Sequence, residues 1–188
     1  MSSYLIDTYE VITLFQAFIS SLGSLVEHDS HLLELTKNRY SVTHRIAQEL
    51  ETRLEISHSP YYVDMAYPLK ESLITPDLLI HTREERESSP LFSLVVRETY
   101  LTQKELMALH YLKEGSNCIL PLAMSLLPHK NYILIYRAEG STIDYYHYYK
   151  GEDHTTLLKK RPIEEVHSSI RQLTFPLKTF QHKGGPLQ

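Results

Sequence analysis

The chain has 188 residues, 42% of them apolar and 22% charged, with a formal net charge of −4. That length fits one domain whose core needs no disulfide or metal support, and the acidic balance excludes a uniformly basic nucleic-acid binder. The single cysteine, Cys118, excludes an internal disulfide; it lies in an apolar run and fits a reducing, cytoplasmic compartment. From Lys150 onward there are seven Lys/Arg against four Asp/Glu, about +3, which leaves about −7 before it. This segment reads first as a solvated tail, with contact to phosphate as the alternative. Asp7 and Glu10 stand where a signal peptide would be basic, and there is no run of about 18 apolar residues. Neither a signal peptide nor a transmembrane helix is therefore expected.

Leu5, Ile12, Phe15, Ile19, Leu22 and Val26 recur at helical spacing and predict a helix over residues 4–27, with Gly23 as a bend or stop. Residues 38–41 read as a short connection, and Ser41 or Thr43 as the cap of a second helix. Val42, Ile46, Leu50 and Leu54 form its buried stripe, and residues 57–60 end it. Strands are expected over 61–69, 77–83 and 91–100, with an acidic loop over 84–90. Thr102-Gln103-Lys104-Glu105 is a capping box that opens a helix through Leu112, stopped by Gly115. Residues 118–127 read as a buried strand or a helix. Residues 132–137 and 142–149 form a hairpin turned at Glu139-Gly140. A short helix over 163–173 follows, and the last residues, with Gly184-Gly185-Pro186, fray. The order predicts an α/β class, a mixed β-sheet flanked by helices. It forms one domain over 1–188, with an N-terminal helix in 1–37 and a C-terminal appendage over 150–188.

Pro76-Asp77 opens the second strand, and Val95-Val96-Arg97 ends the apolar part of the third. This hairpin resembles the core of the PD-(D/E)XK nuclease superfamily, the restriction-endonuclease-like fold, in which Pro-Asp starts one strand and the next carries Glu-x-Lys. Asn38–Ala47 looks like the helix that precedes the hairpin in a set of small bacterial members. Val63-Asp64-Met65-Ala66-Tyr67 is similar to their first strand, and His81 and Arg83 follow the Pro-Asp strand as they do there. The resemblance spans residues 38–112, the nuclease-like core. It implies that Asp77 matches the metal-binding Asp, Val95 the missing Glu and Arg97 the Lys. Valine cannot ligate a metal, and an arginine stays protonated, so it cannot serve as a base.

The resemblance thus implies a degenerate site, without a cofactor, on a non-catalytic interaction or regulatory module. The alternative is a Mg²⁺-dependent nuclease with a migrated carboxylate site, in which metal-bound water attacks phosphate. That site would use Asp77, Arg97 and Glu49 from the second helix, or Glu98 if a bulge rotates the third strand. Glu49 has a competing reading as the ion-pair partner of Arg45 or Arg53, four residues away on either side.

Strand alternation puts Asp77, Leu79, His81 and Arg83 on one face. Ser93, Val95 and Arg97 share a mixed face of the third strand, and Phe92, Leu94 and Val96 face the core. In Tyr145-Tyr146-His147-Tyr148-Tyr149-Lys150, Tyr146 and Tyr148 share one face. Together with His81 and Arg83 they are the candidate binding residues. The partner would be a protein or a second copy, with nucleic acid as an alternative and no membrane. The competing reading is a half-buried strand, since Tyr favours strands. The eleven histidines show no metal-ligand spacing.

Overall fold

A computed structural model of the chain describes residues 3–69, 73–83, 90–152 and 154–167, with the side chains of 3–10 and 57 left aside. The elements run α1 (Ser3–Asp29), α2 (Arg39–Arg53), β1 (Tyr62–Met65), β2 (Leu78–His81), β3 (Phe92–Arg97), α3 (Gln103–Glu114), β4 (Leu120–Ser125), β5 (Tyr132–Glu139), β6 (Thr142–Tyr149) and β7 (Thr155–Pro162). The seven strands form one mixed sheet in the order β1-β2-β3-β4-β5-β6-β7. Every neighbouring pair is antiparallel except β3 and β4, which run parallel. A parallel pair needs a crossover, and α3 supplies it.

Both faces of the sheet are apolar because the strands alternate between two buried layers. Phe92, Leu94 and Val96 of β3, with Leu122 and Met124 of β4, pack against Leu14, Phe18, Leu22 and Leu25 of α1 and against Val42, Ile46 and Leu50 of α2. Val95, Ala123, Leu134 and Tyr136 point the other way, onto Leu106, Leu109 and Leu112 of α3. The face of β3 that reads as mixed in the sequence is therefore a second core layer around Val95. Two sequence signals predict the α3 crossover. Its capping box is formed, with Glu105 N–H donating to Thr102 Oγ1 at 3.3 Å and Thr102 N–H donating to Glu105 Oε2 at 2.9 Å. Gly115 ends it with the backbone still right-handed. A Cβ there would meet the Tyr111 ring at 2.5 Å, so close approach, rather than a left-handed turn, accounts for the glycine.

Three expectations need correction. The buried stripe of α1 is Leu14, Phe18, Leu22 and Leu25, whereas Ile12 is 50% exposed. Thr13, Gln16, Ser20 and Glu27 recur on the opposite, exposed side, and Ile12 lies toward it. The stretch from Val11 of α1 through the short 3-10 turn after it to Leu33 has a mean hydropathy of 1.2 and is long and apolar enough to cross a membrane by length and composition. In the fold it forms one layer against the sheet. Second, α2 begins at Arg39 without a side-chain cap, and Thr43 Oγ1 instead donates back to the Arg39 carbonyl at 2.7 Å. Third, Thr155–Pro162 is part of the sheet, because β7 pairs with β6 along most of its length, with a register shift between Tyr145 and Tyr146. Lys160 reaches the buried Asp144 at 3.0 Å, and Lys159 lies over the Tyr145 ring at 4.6 Å. Basic residues in a strand that is exposed on both faces hid it from a periodicity reading. Residues 163–167 form a helical turn. The remainder of the expected 163–173 helix, the last residues and the acidic loop over 84–89 lie outside the described residues.

Candidate functional site

Asp77 sits just ahead of β2, where the C-terminal end of β3 meets the N-termini of α2 and α3. Its main-chain N–H donates to Leu94 O at 2.8 Å, and its Oδ2 accepts the Val96 N–H at 2.7 Å. The side chain thus adds one more rung to the β2–β3 ladder. Oδ1 accepts Arg39 Nε at 2.6 Å and also pairs with Arg39 Nη2. Arg97 Nη1 lies 3.5 Å from Oδ2, a long contact, and donates more closely to Val96 O at 2.8 Å. The Asp77 side chain is 3% exposed. A buried carboxylate is tolerated because it is paired and hydrogen-bonded on both oxygens.

Arg97 turns its Nε to Glu105 Oε1 at 2.5 Å. Burial raises the Glu105 carboxyl pKa, but the bond from Arg97 and those from Thr102 outweigh it, so the carboxyl stays below its usual range. The position of Glu105 in the first turn of α3 also suits the helix dipole. The result is a chain of alternating charge, Arg39–Asp77–Arg97–Glu105, across three elements. Val95 is fully buried under α3.

Glu49 does not join this chain. It pairs with Arg45 at 3.2 Å and with Arg53 at 3.1 Å. It also lies ten residues further along α2 than Arg39, about 15 Å of helix. Nor does Glu98, because β3 keeps regular register with β4 through Arg97 and has no bulge to rotate it. Among the described residues, no group of three or more His, Cys, Asp or Glu is placed to hold a metal ion.

His81 and Arg83 form a second polar group, one strand away, around Asp64 of β1. His81 is buried, and its Nε2 lies 2.8 Å from Asp64 Oδ2. Arg83 Nε donates to the same oxygen at 2.7 Å, and Arg83 Nη2 pairs with Oδ1. The Arg83 guanidinium holds the Asp64 carboxyl below its usual range, burial opposes this, and the His81 bond lowers it further. Tyr67 packs on the His81 ring at 4.5 Å, and Arg83 stacks over Tyr62 at 4.3 Å.

The tyrosine strand divides differently from the expectation. Tyr148 is 1% exposed and belongs to the α1/α2 core, so it offers nothing to a partner; that is a correction. Tyr146 is half-buried beneath Phe15 of α1, 5.4 Å between ring centroids. The opposite face carries the more open cluster, with His147 stacked on Tyr132 at 4.0 Å and Tyr149 edge-on to both. Burial pushes the His147 imidazole below its ordinary pKa.

Arg39, Glu105 and Asp64 are the site residues that sequence reasoning missed. Glu105 was visible only as a capping residue. Arg39 and Asp64 stand in segments that carry the family resemblance, but a single sequence does not place partners 38 or 19 residues away. Compared with known proteins, the chain matches no family model, no curated protein and no solved structure.

Proposed function

We propose that this chain is a restriction-endonuclease-like domain with a degenerate active site, working as a non-catalytic interaction or regulatory module in the cytoplasm. The observation that carries the reading is the saturation of Asp77. A divalent cation needs free carboxylate oxygen, and both oxygens of Asp77 are engaged by Arg39 and the Val96 N–H. The position where the family resemblance asks for a second carboxylate holds Val95, under α3. The element order adds support: a helix, three antiparallel strands, a crossover helix and a parallel strand.

One observation favours the alternative, a Mg²⁺-dependent nuclease with a migrated site. Asp77 and Glu105 both bond Arg97, so movement of that guanidinium would leave two carboxylates facing one space. The test is titration calorimetry with Mg²⁺ and Mn²⁺, alongside cleavage assays on single- and double-stranded DNA and RNA. The module reading expects no heat of metal binding and no cleavage. Metal-dependent cleavage by the wild type, lost in Asp77→Ala and Glu105→Gln, would replace it with the nuclease.

A further inference from the structure

The sheet has two edges, and they are built differently. The β7 edge carries a register shift beside Leu158, three basic residues and Pro162. Those are the devices that discourage a strand from accepting another. The β1 edge has none of them. Among the described residues β1 pairs only with β2, and Ala66 N–H donates to Asp77 O at 3.0 Å. In an antiparallel ladder the bonded residues alternate, so Tyr62, Asp64 and Ala66 face β2. The N–H and C=O groups of Val63 and Met65 then point outward, and among the described residues they meet no strand.

A cleft of about 830 Å³ opens beside the first half of this edge, at Tyr62 and Val63. On the α2 side its lining includes Glu51, in the last turn, and Glu55, two residues past the helix; on the β1 side it includes Tyr61, Tyr62 and Val63, and Arg83 and His58 line it too. Glu51 and Glu55 are exposed, and among the described residues neither forms an ion pair. Arg83 is already neutralised by Asp64. The net field of the cleft is therefore negative, beside aromatic rings that suit the alkyl stems of long cations.

We propose that the β1 edge and the α2 wall form a docking groove for an extended, basic segment of a partner protein. The segment adds an eighth strand through the main-chain groups of Val63 and Met65. Its Lys or Arg side chains meet Glu51 and Glu55, which sets both the sign of charge and the position along the edge. This deepens the interaction-module reading and rests on it.

The probe is a capped, fluorescein-labelled ten-residue peptide of alternating Lys and Val, with a Glu/Val peptide of the same length as the control. Anisotropy should show saturable binding of the Lys/Val peptide only. Glu51→Gln with Glu55→Gln should weaken it about tenfold, the effect of two modest ion pairs. Val63→Pro removes an outward donor while leaving the β2 ladder intact, and it should abolish binding. Amide exchange at Val63 and Met65 should slow when peptide is bound. Equal binding of the Glu/Val peptide, no change in the Gln pair, or unprotected amides would overturn the groove. So would a dimer of the free chain with those amides already protected, since a second copy would then be the occupant. Loss of the groove leaves the Asp77 reading intact, and metal-dependent cleavage would remove that reading without touching the groove.

Discussion

Arg39 and Asp77 lie 38 residues apart in the chain and share a bond of 2.6 Å from Nε to Oδ1. The guanidinium at the start of α2 thereby ties that helix to the strand hairpin, and it occupies the oxygen that a metal would need.

Asp77→Ala leaves Val96 N–H without its acceptor and the Arg39 guanidinium without its counter-charge, while Arg97 keeps Glu105. Breaking a buried pair from one side costs about 3 kcal/mol. The expected result is a lower urea midpoint with an unchanged slope. Asp77→Asn retains an acceptor and should lose less.

Val95→Glu places an acid where the proposed nuclease-like reading asks for one. The position is fully buried among Leu106, Leu109 and Ala123, so the new carboxyl would have no water and no partner. The variant should lose about 3 kcal/mol or more in chemical denaturation and gain no Mg²⁺ binding by calorimetry. Val95→Ile, the volume control, should cost less than about 1.5 kcal/mol.

The Asp64 carboxyl is held below its ordinary value of 3.8, first by Arg83. A depressed folded pKa stabilises the fold above the unfolded pKa and loses that stabilisation as pH falls through the folded one. Acid unfolding followed by circular dichroism should therefore include a component below pH 3.8. Arg83→Gln removes the largest cause and should move the acid midpoint upward.

Burial pushes the Cys118 thiol from 9.0 up to about 11. The folded protein should resist thiol reagents at pH 8 and react only on unfolding, at the rate the chain opens. The linkage has the opposite sign to that of Asp64. The unfolded thiol ionises first, so stability should decline between about pH 9 and pH 11 by an amount that Cys118→Ser removes.

Fold class was legible because its signals are local. The Thr102–Glu105 capping box, the Gly140 turn and the Val42–Ile46–Leu50 stripe each act within a few residues, and each stands in the structure. β7 was not legible, because Thr155–Pro162 derives its strand character from pairing with β6 rather than from an apolar alternation. The same holds for the site. Asp77 and Arg97 were visible as a motif, but Arg39 displaces Arg97 as the main partner of Asp77, and only the approach of α2 to the hairpin decides that. Glu49 shows the reverse case, since its i±4 arginines were readable from spacing and do bind it.

The spatial sequence of strands matches their order along the chain. During synthesis, each strand that leaves the ribosome therefore finds its neighbour already out, and only α3 interposes a delay. The apolar stripe of α1 has no such luck. Leu14, Phe18, Leu22 and Leu25 emerge before the strands they pack on, and part of the surface they cover arrives only with β4 and β5. Until β4 and β5 follow, that stripe is only partly covered, which leaves α1 open to association with other nascent chains.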